Sequence, residues 1–160
     1  MTTVRPYRSA DDDALWRLKA AFERELGATG DDAKASAYDD KLTDDYRRRW
    51  LDWVDRCTGD EDCIFVAPGD EGLAGYVFLL PERLAFVWDA AVVNEVFVRP
   101  AQRGTGVADA LLERALDHAR EQALPLDRVV LDVDRENERA RAFYERHGFE
   151  GWGEMVARDL

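Results

Sequence analysis

Three stretches of this chain carry residue types and spacings suited to chemistry. The first is Arg103-Gly104-Thr105-Gly106-Val107-Ala108, which lies between an apolar run and a helical pattern. A helix start leaves main-chain N–H groups without internal partners, and the aligned peptide dipoles make that end partly positive. Glycines there remove side chains that would hold an anion away, so the stretch suits a pyrophosphate. A P-loop would end in Gly-Lys-Ser/Thr, whereas Val107-Ala108 follows the second glycine here. A dinucleotide-binding turn would place a third glycine at position 109, which is Asp109. The second stretch contains Glu95, an acid inside an otherwise apolar segment, able to accept a proton directly or through a water. The third runs from Asn137 to Phe149 and holds Tyr144, a phenol that can donate a proton.

The elements that must position these groups follow from periodicity. Val92 to Val98 reads as a strand ended by Arg99-Pro100. Alternation along it puts Glu95 on one face with Val93 and Phe97, and Asn94 on the other with Val92, Val96 and Val98. After the glycine turn, Val107, Leu111, Leu112, Ala115, Leu116 and Ala119 share one helical face, so a helix extends to about Gln122. Pro125 closes the connection, and Arg128 to Val133 is a strand apolar enough to be buried between layers. Strand, helix and strand in this order predict a crossover with parallel strands. A further helix, Glu136 to His147, stops at Gly148.

Upstream, Thr3 to Arg8 reads as a short strand. Ser9 to Asp12 resembles a capping box for a helix carrying Leu15, Leu18, Phe22 and Leu26. Gly27 to Asp40 is small and polar and reads as a mobile loop. Thr43 to Cys57 is a helix with Tyr46, Trp50, Trp53 and Val54 on one stripe. Cys63 to Ala67 and Leu73 to Leu80 form a hairpin. Phe149 to Leu160 has room for one or two short strands.

At 160 residues with 46% hydrophobic content, the chain is expected to form one domain, residues 1–160. No apolar run is long enough to span a membrane and no export segment stands at the N-terminus, which predicts a cytoplasmic protein. Cys57 and Cys63 are then expected to be free thiols. The net charge is −12, and only Lys19, Lys34 and Lys41 are lysines. Such a surface argues against nucleic-acid and anionic-membrane partners and favours cationic small molecules. It equally serves solubility, including in a salt-rich cytoplasm that screens dense carboxylates. His118 and His147 stand apart from the other candidates. No His, Cys, Asp and Glu spacing fits a metal site, so no metal is expected.

Two motifs in order carry a family resemblance. Arg103 to Ala108 is similar to the R/Q-x-x-G-x-G/A signature of the GNAT family of N-acetyltransferases. Asn137, Ala140, Phe143, Tyr144, Gly148 and Phe149 match its N-x-x-A-x-x-F-Y-x-x-x-G-F signature about thirty residues later. The resemblance covers roughly residues 64 to 158. It implies an α/β (α+β) fold with a mixed sheet of six to seven strands, splayed parallel fourth and fifth strands, and about four helices.

It also implies an acetyl-CoA donor. Main-chain N–H groups of Arg103, Gly104, Thr105, Gly106, Val107 and Ala108 would hold the pyrophosphate. Main-chain groups of Phe97 and Val98 would pair with the pantetheine arm. Asn137 would shape the helix start and touch the cofactor, and Tyr144 would be the general acid. Glu95 is the candidate base, with Asp132 and Asp134 in reserve. The implied reaction moves an acetyl group to a primary amine, either a small cation or a peptide N-terminus or lysine. A non-catalytic acyl-CoA-binding module is the alternative. A homodimer is consistent with the resemblance.

Overall fold

Strand-forming residues gather into one sheet because their side chains are buried on both of its faces. The computed structural model describes residues 3–160. Five strands, β1 (Arg5–Pro6), β2 (Ile64–Gly69), β3 (Gly72–Leu79), β4 (Ala91–Val98) and β5 (Val129–Leu131), lie side by side in chain order. β1 to β4 pair antiparallel, and β4 pairs with β5 in parallel. β2 and β3 form the expected hairpin, and every residue from Leu73 to Leu79 is buried. The parallel neighbours are joined by a crossover helix, as their shared direction requires.

Among the described residues five α-helices surround the sheet: α1 (Asp12–Ala28), α2 (Asp32–Asp40), α3 (Asp44–Thr58), α4 (Val107–Glu121) and α5 (Glu138–Arg146). On one face, α1 presents Leu15, Leu18 and Phe22 while α3 presents Trp50, Val54 and Cys57. Phe22 stacks on Phe97, and Trp50 meets Phe78 edge-on. On the other face α4 buries Val107, Leu111, Leu112 and Ala115. Complete burial of Leu111 alone is worth about 1.5–3 kcal/mol. Helix starts carry side-chain caps where the sequence supplies them: Thr43 Oγ1 accepts from the Tyr46 N–H at 3.1 Å and Asn137 Oδ1 from the Ala140 N–H at 3.1 Å.

Three expectations need correction. Gly27 to Asp40 is no loop: α1 runs through Gly27 to Ala28, and α2 is a capped helix, with Asp31 Oδ1 accepting from the Lys34 N–H at 2.8 Å. α2 buries no residue, so it carries no apolar stripe to reveal it. It packs on α1 at Gly27, where an added Cβ would stand 2.6 Å from Tyr38 Cβ. The sheet has five strands rather than six to seven, because residues 150–160 are exposed and unpaired. Their apolar members, Trp152, Met155, Val156 and Leu160, do not alternate as a half-buried strand would. The helices number five among the described residues, not about four; α2 is the addition.

Gly75 lets α4 lie close on β3. A Cβ there would meet Phe97 O at 2.7 Å, Val98 Cγ2 at 3.0 Å and Leu111 Cδ1 at 3.1 Å. Gly75→Ala is therefore expected to lower unfolding free energy by about 1–3 kcal/mol in urea titrations. Gly151→Ala, in open space, should leave the midpoint unchanged.

Candidate functional site

The glycine turn is shaped by its own backbone. A single 3₁₀ turn, Pro100–Gln102, follows β4, and the Thr105 hydroxyl donates to Gln102 O at 2.5 Å. Gly104 and Gly106 have φ of +78° and +89°, a region that side chains disfavour, and nothing lies within 4 Å of a Cβ built on either. Gly106 occupies the cap position of α4 without any side-chain cap. The first intrahelical bond there runs from the Ala110 N–H to Gly106 O at 3.0 Å, so the N–H groups just before it are left for another acceptor. Asp109, the anion in this first turn, is drawn towards α5 by His147 Nε2 at 2.7 Å and Arg146 Nη2 at 3.0 Å. The His147 hydrogen bond, more than the Arg146 charge, holds its carboxyl below the usual range.

Beside this turn the pairing of the two parallel strands ends. β5 pairs with β4 only at Ala91, Val92 and Val93, and β4 continues alone to Val98. The hydrogen bonds from the Leu80 N–H to Val92 O and from the Arg99 N–H to Ala74 O fix which residues face β3. With an irregularity opposite Phe78 and Leu79, the alternation directs the peptide groups of Glu95 and Phe97 to β3 and those of Val96 and Val98 into the gap. Phe97, expected to offer its main chain to a ligand, thus spends it on Tyr76 and packs its ring against Phe22. Val98 does face the gap, although its carbonyl already accepts from Arg103 Nε at 3.1 Å. Val96 is the residue that sequence reasoning missed. Only the pairing pattern of β3 reveals it.

α5, which follows β5 in the chain, carries Tyr144, its ring between Phe143 and Phe149 at 5.2 and 5.6 Å. Burial pushes the Tyr144 phenol up to about 12 against a smaller opposing effect of the Arg139 charge, so the hydroxyl keeps its proton at neutral pH. Asn137 caps α5, as noted above. Arg103 leans over the Phe97 ring and pairs with Glu25 at 2.7 Å.

Glu95 lies on the face of β4 that α1 covers and is 9% exposed. Tyr76 Oη donates to its Oε1 at 2.6 Å, and Lys19 Nζ to its Oε2 at 3.0 Å, with Asn94 Nδ2 at 3.4 Å. Of roughly four acceptor positions on a carboxylate, about one is left open. Lys19 also binds Glu23 Oε1 at 2.5 Å, and Lys41 reaches Glu23 Oε2 at 2.7 Å. Burial alone would push the Lys19 ammonium down, but the Glu95 charge and the Glu23 hydrogen bond outweigh it and hold it above its ordinary value. Burial likewise acts to raise Glu23, and Lys19 and Lys41 reverse that. Burial, then Glu95, keep the Tyr76 phenol firmly protonated. Sequence reasoning missed Lys19 and Glu23. The signal was there: an i,i+4 pair set within the stripe of Leu15, Leu18 and Phe22.

The remaining candidates lie apart. Asp134 Oδ1 accepts from the Glu136 N–H at 2.8 Å and its Oδ2 is 3.8 Å from Lys34 Nζ, whereas Asp132 is exposed where β5 ends. Cys57 and Cys63 are free and buried, and burial pushes their thiols up to about 11 and about 12. His118 pairs with Glu61 at 2.8 Å on the opposite flank of the sheet. Among the described residues no three His, Cys, Asp or Glu side chains are placed to hold a metal, and no helix is long and apolar enough to cross a membrane.

The profile of the acetyltransferase (GNAT) family matches residues 23–149. An uncharacterised N-acetyltransferase of Methanocaldococcus jannaschii is 31% identical over 122 residues, 70% of this chain and 53% of that protein. A mycothiol acetyltransferase of Salinispora tropica is 33% identical over 162 residues, 99% of this chain and 48% of that protein. The chain thus spans about half the length of these two relatives. Among solved structures, the PaiA N-acetyltransferase of Thermoplasma acidophilum, in complex with coenzyme A, shares the fold with a TM-score of 0.72 at 18% identity, covering 94% of this chain and 90% of that one.

The buried network sets a pH window. Glu23 is lowered, so its contribution is present above the ordinary carboxylate range and lost as pH falls through its depressed value. Lys19 is raised, so its contribution is present below the ordinary lysine range and lost as pH rises through its elevated value. Lys19→Met leaves the buried Glu95 carboxylate without a counter-charge and Glu23 with Lys41 alone, and should cost about 3–5 kcal/mol at pH 7 in urea titrations. The gap to wild type should narrow as pH is lowered through the carboxylate range.

Proposed function

The chain belongs to the acetyltransferase (GNAT) family, and from that premise we propose that it transfers an acetyl group from acetyl-CoA to a primary amine by direct attack in a ternary complex. One observation carries this assignment. β4 loses its parallel partner after Val93 while continuing to Val98, beside a helix start whose N–H groups lack acceptors. A diphosphate suits the N–H groups from Gly104 to Ala108, the Arg103 N–H being bonded instead to Pro100 O at 3.2 Å. An extended amide-bearing arm suits the free edge at Val96 and Val98.

The chemistry divides among groups already in place. An alkylammonium with a pKa near about 10.4 must lose a proton before its nitrogen can attack the thioester carbon. Glu95 takes that proton through a water at its open acceptor position, while Lys19 and Tyr76 hold the carboxylate still. As the C–N bond forms, the carbonyl oxygen gains charge, and the Val96 N–H is directed into the gap where it can donate to that oxygen. As the C–S bond breaks, the Tyr144 phenol protonates the departing thiolate. The acceptor is a small cationic amine, in keeping with the −12 net charge, with a peptide amine as the second class. The same acidity accords with a cytoplasmic protein that binds neither nucleic acid nor anionic membrane.

A protonated, partly buried Tyr144 favours catalysis over a module that only binds acyl-CoA. Thiol release from acetyl-CoA, followed across polyamines, aminoglycosides and short peptides, should reveal an acceptor. Tyr144→Phe should lower kcat about 100-fold with coenzyme A affinity preserved. Acetyl-CoA binding in calorimetry without turnover of any amine would instead leave a binding module. Gly106→Glu forces an anionic side chain onto a φ of +89° at the phosphate position and should abolish coenzyme A binding; unchanged affinity would remove the phosphate cradle from the account.

A further inference from the structure

Glu25, in the last turns of α1, is bound by two arginines that come from distant parts of the chain. Arg103 Nη2 lies 2.7 Å from its Oε2, and Arg139 Nη2 lies 2.8 Å from its Oε1. Arg103 belongs to the turn between β4 and α4, whereas Arg139 is the second residue of α5, beyond β5. A single carboxylate joined to both therefore spans the opening where the pairing of β4 with β5 ends. The packing of Phe22 on Phe97, three residues earlier in α1, brings it there.

The contact differs from the ordinary surface pairs of this protein. Arg48–Asp45 and Arg120–Asp117 join neighbours on one helix, where such pairs add little. The Glu25 pairs bridge 78 and 114 residues of sequence. Two guanidiniums converging on one carboxylate leave one positive charge uncompensated. Planar guanidiniums suit bidentate contact with phosphate as well as with carboxylate, and a phosphate monoester, or a diphosphate taken whole, offers more terminal oxygens and more charge than a carboxylate. Arg103 is further held by Val98 O at 3.1 Å, so it is kept near the gap whichever anion it meets.

We propose that Arg103 and Arg139 form a two-arginine site for a phosphate of the donor, and that Glu25 occupies that site until the phosphate displaces it. The proposal rests on the donor assignment above and adds to it a binding residue, Arg139, and a competing one, Glu25. Displacement frees the Glu25 carboxylate at the mouth of the gap when the donor is seated. The diphosphate and the 3′-phosphate of coenzyme A present the same chemistry, and the test separates them.

Calorimetry on the full chain with coenzyme A, 3′-dephospho-coenzyme A and pantetheine decides it. Glu25→Gln keeps the shape of the side chain and removes the competing charge. It should tighten coenzyme A about 3- to 10-fold, with the gain fading at high salt, and leave pantetheine unchanged. Arg139→Gln should weaken coenzyme A by a similar factor and also leave pantetheine unchanged. If the gain from Glu25→Gln persists with 3′-dephospho-coenzyme A, the arginines hold the diphosphate; if it disappears, they hold the 3′-phosphate. Wild-type binding with no tightening in Glu25→Gln, or equal shifts for coenzyme A and pantetheine, overturns the arginine site alone. Wild type that fails to bind coenzyme A overturns the donor assignment and the arginine site together.

Discussion

An unpaired strand edge inside a folded protein is a standing demand for hydrogen bonds, and β4 presents one beyond Val93. Elsewhere the sheet satisfies its interior peptide groups by pairing in chain order, β1 to β2 to β3 to β4. Past Val93 the pairing with β5 ends, and the N–H and C=O groups of Val96 and the N–H of Val98 are left on the open side, the Val98 carbonyl accepting from Arg103. The cost of that arrangement is tolerable because the gap can be filled by something that brings its own amides. The opening of α4 beside it makes the same kind of demand for an anion. A molecule with a phosphate at one end and peptide-like bonds along its arm answers both.

The rest of the structure keeps these two features in register. α4 cannot drift from the sheet while Gly75 admits Leu111 so closely. α1 is pinned over β4 by Phe22 and by the Lys19 ammonium, which reaches across to Glu95. Such a buried charge cluster is a poor way to gain stability compared with apolar packing, and its partners must all be present to be tolerated. What it does supply is a carboxylate of fixed orientation on the strand that borders the gap. Asp109, which would oppose a phosphate at the start of α4, is turned aside by His147 and Arg146.

Much of this was legible in the sequence because local signals and tertiary demands agreed. The apolar run before Arg99-Pro100, the two glycines and the stripe from Val107 to Ala119 each require the structure they adopt. α2 was not legible: Asp32–Asp40 has no apolar face, and its helix is held by a cap and by close contact with Gly27. The extra strands expected after Phe149 do not form. Length allowed them, but the spacing of Trp152, Met155 and Val156 does not alternate. At the site, alternation grouped Glu95 with Phe97 as side chains, but the irregularity opposite Phe78 and Leu79 sets Val93, paired with Leu79, on the other face. It does not say which peptide groups are free, because that depends on how β3 pairs. Hence Phe97 was expected at the open edge where Val96 stands. The Lys19 and Glu23 pair was missed because charged residues on a helix are read as solvent-facing by default.

The central claim is that the donor arm completes β4 as an added strand. Amide hydrogen exchange, resolved at single residues with and without acetyl-CoA, tests it directly. The Val96 and Val98 N–H groups should exchange rapidly in the free protein and slow markedly when the donor is present, while the Phe97 N–H, already bonded to β3, stays slow in both. Protection that leaves Val96 and Val98 unchanged, or that arises at another edge of the sheet, would contradict the account.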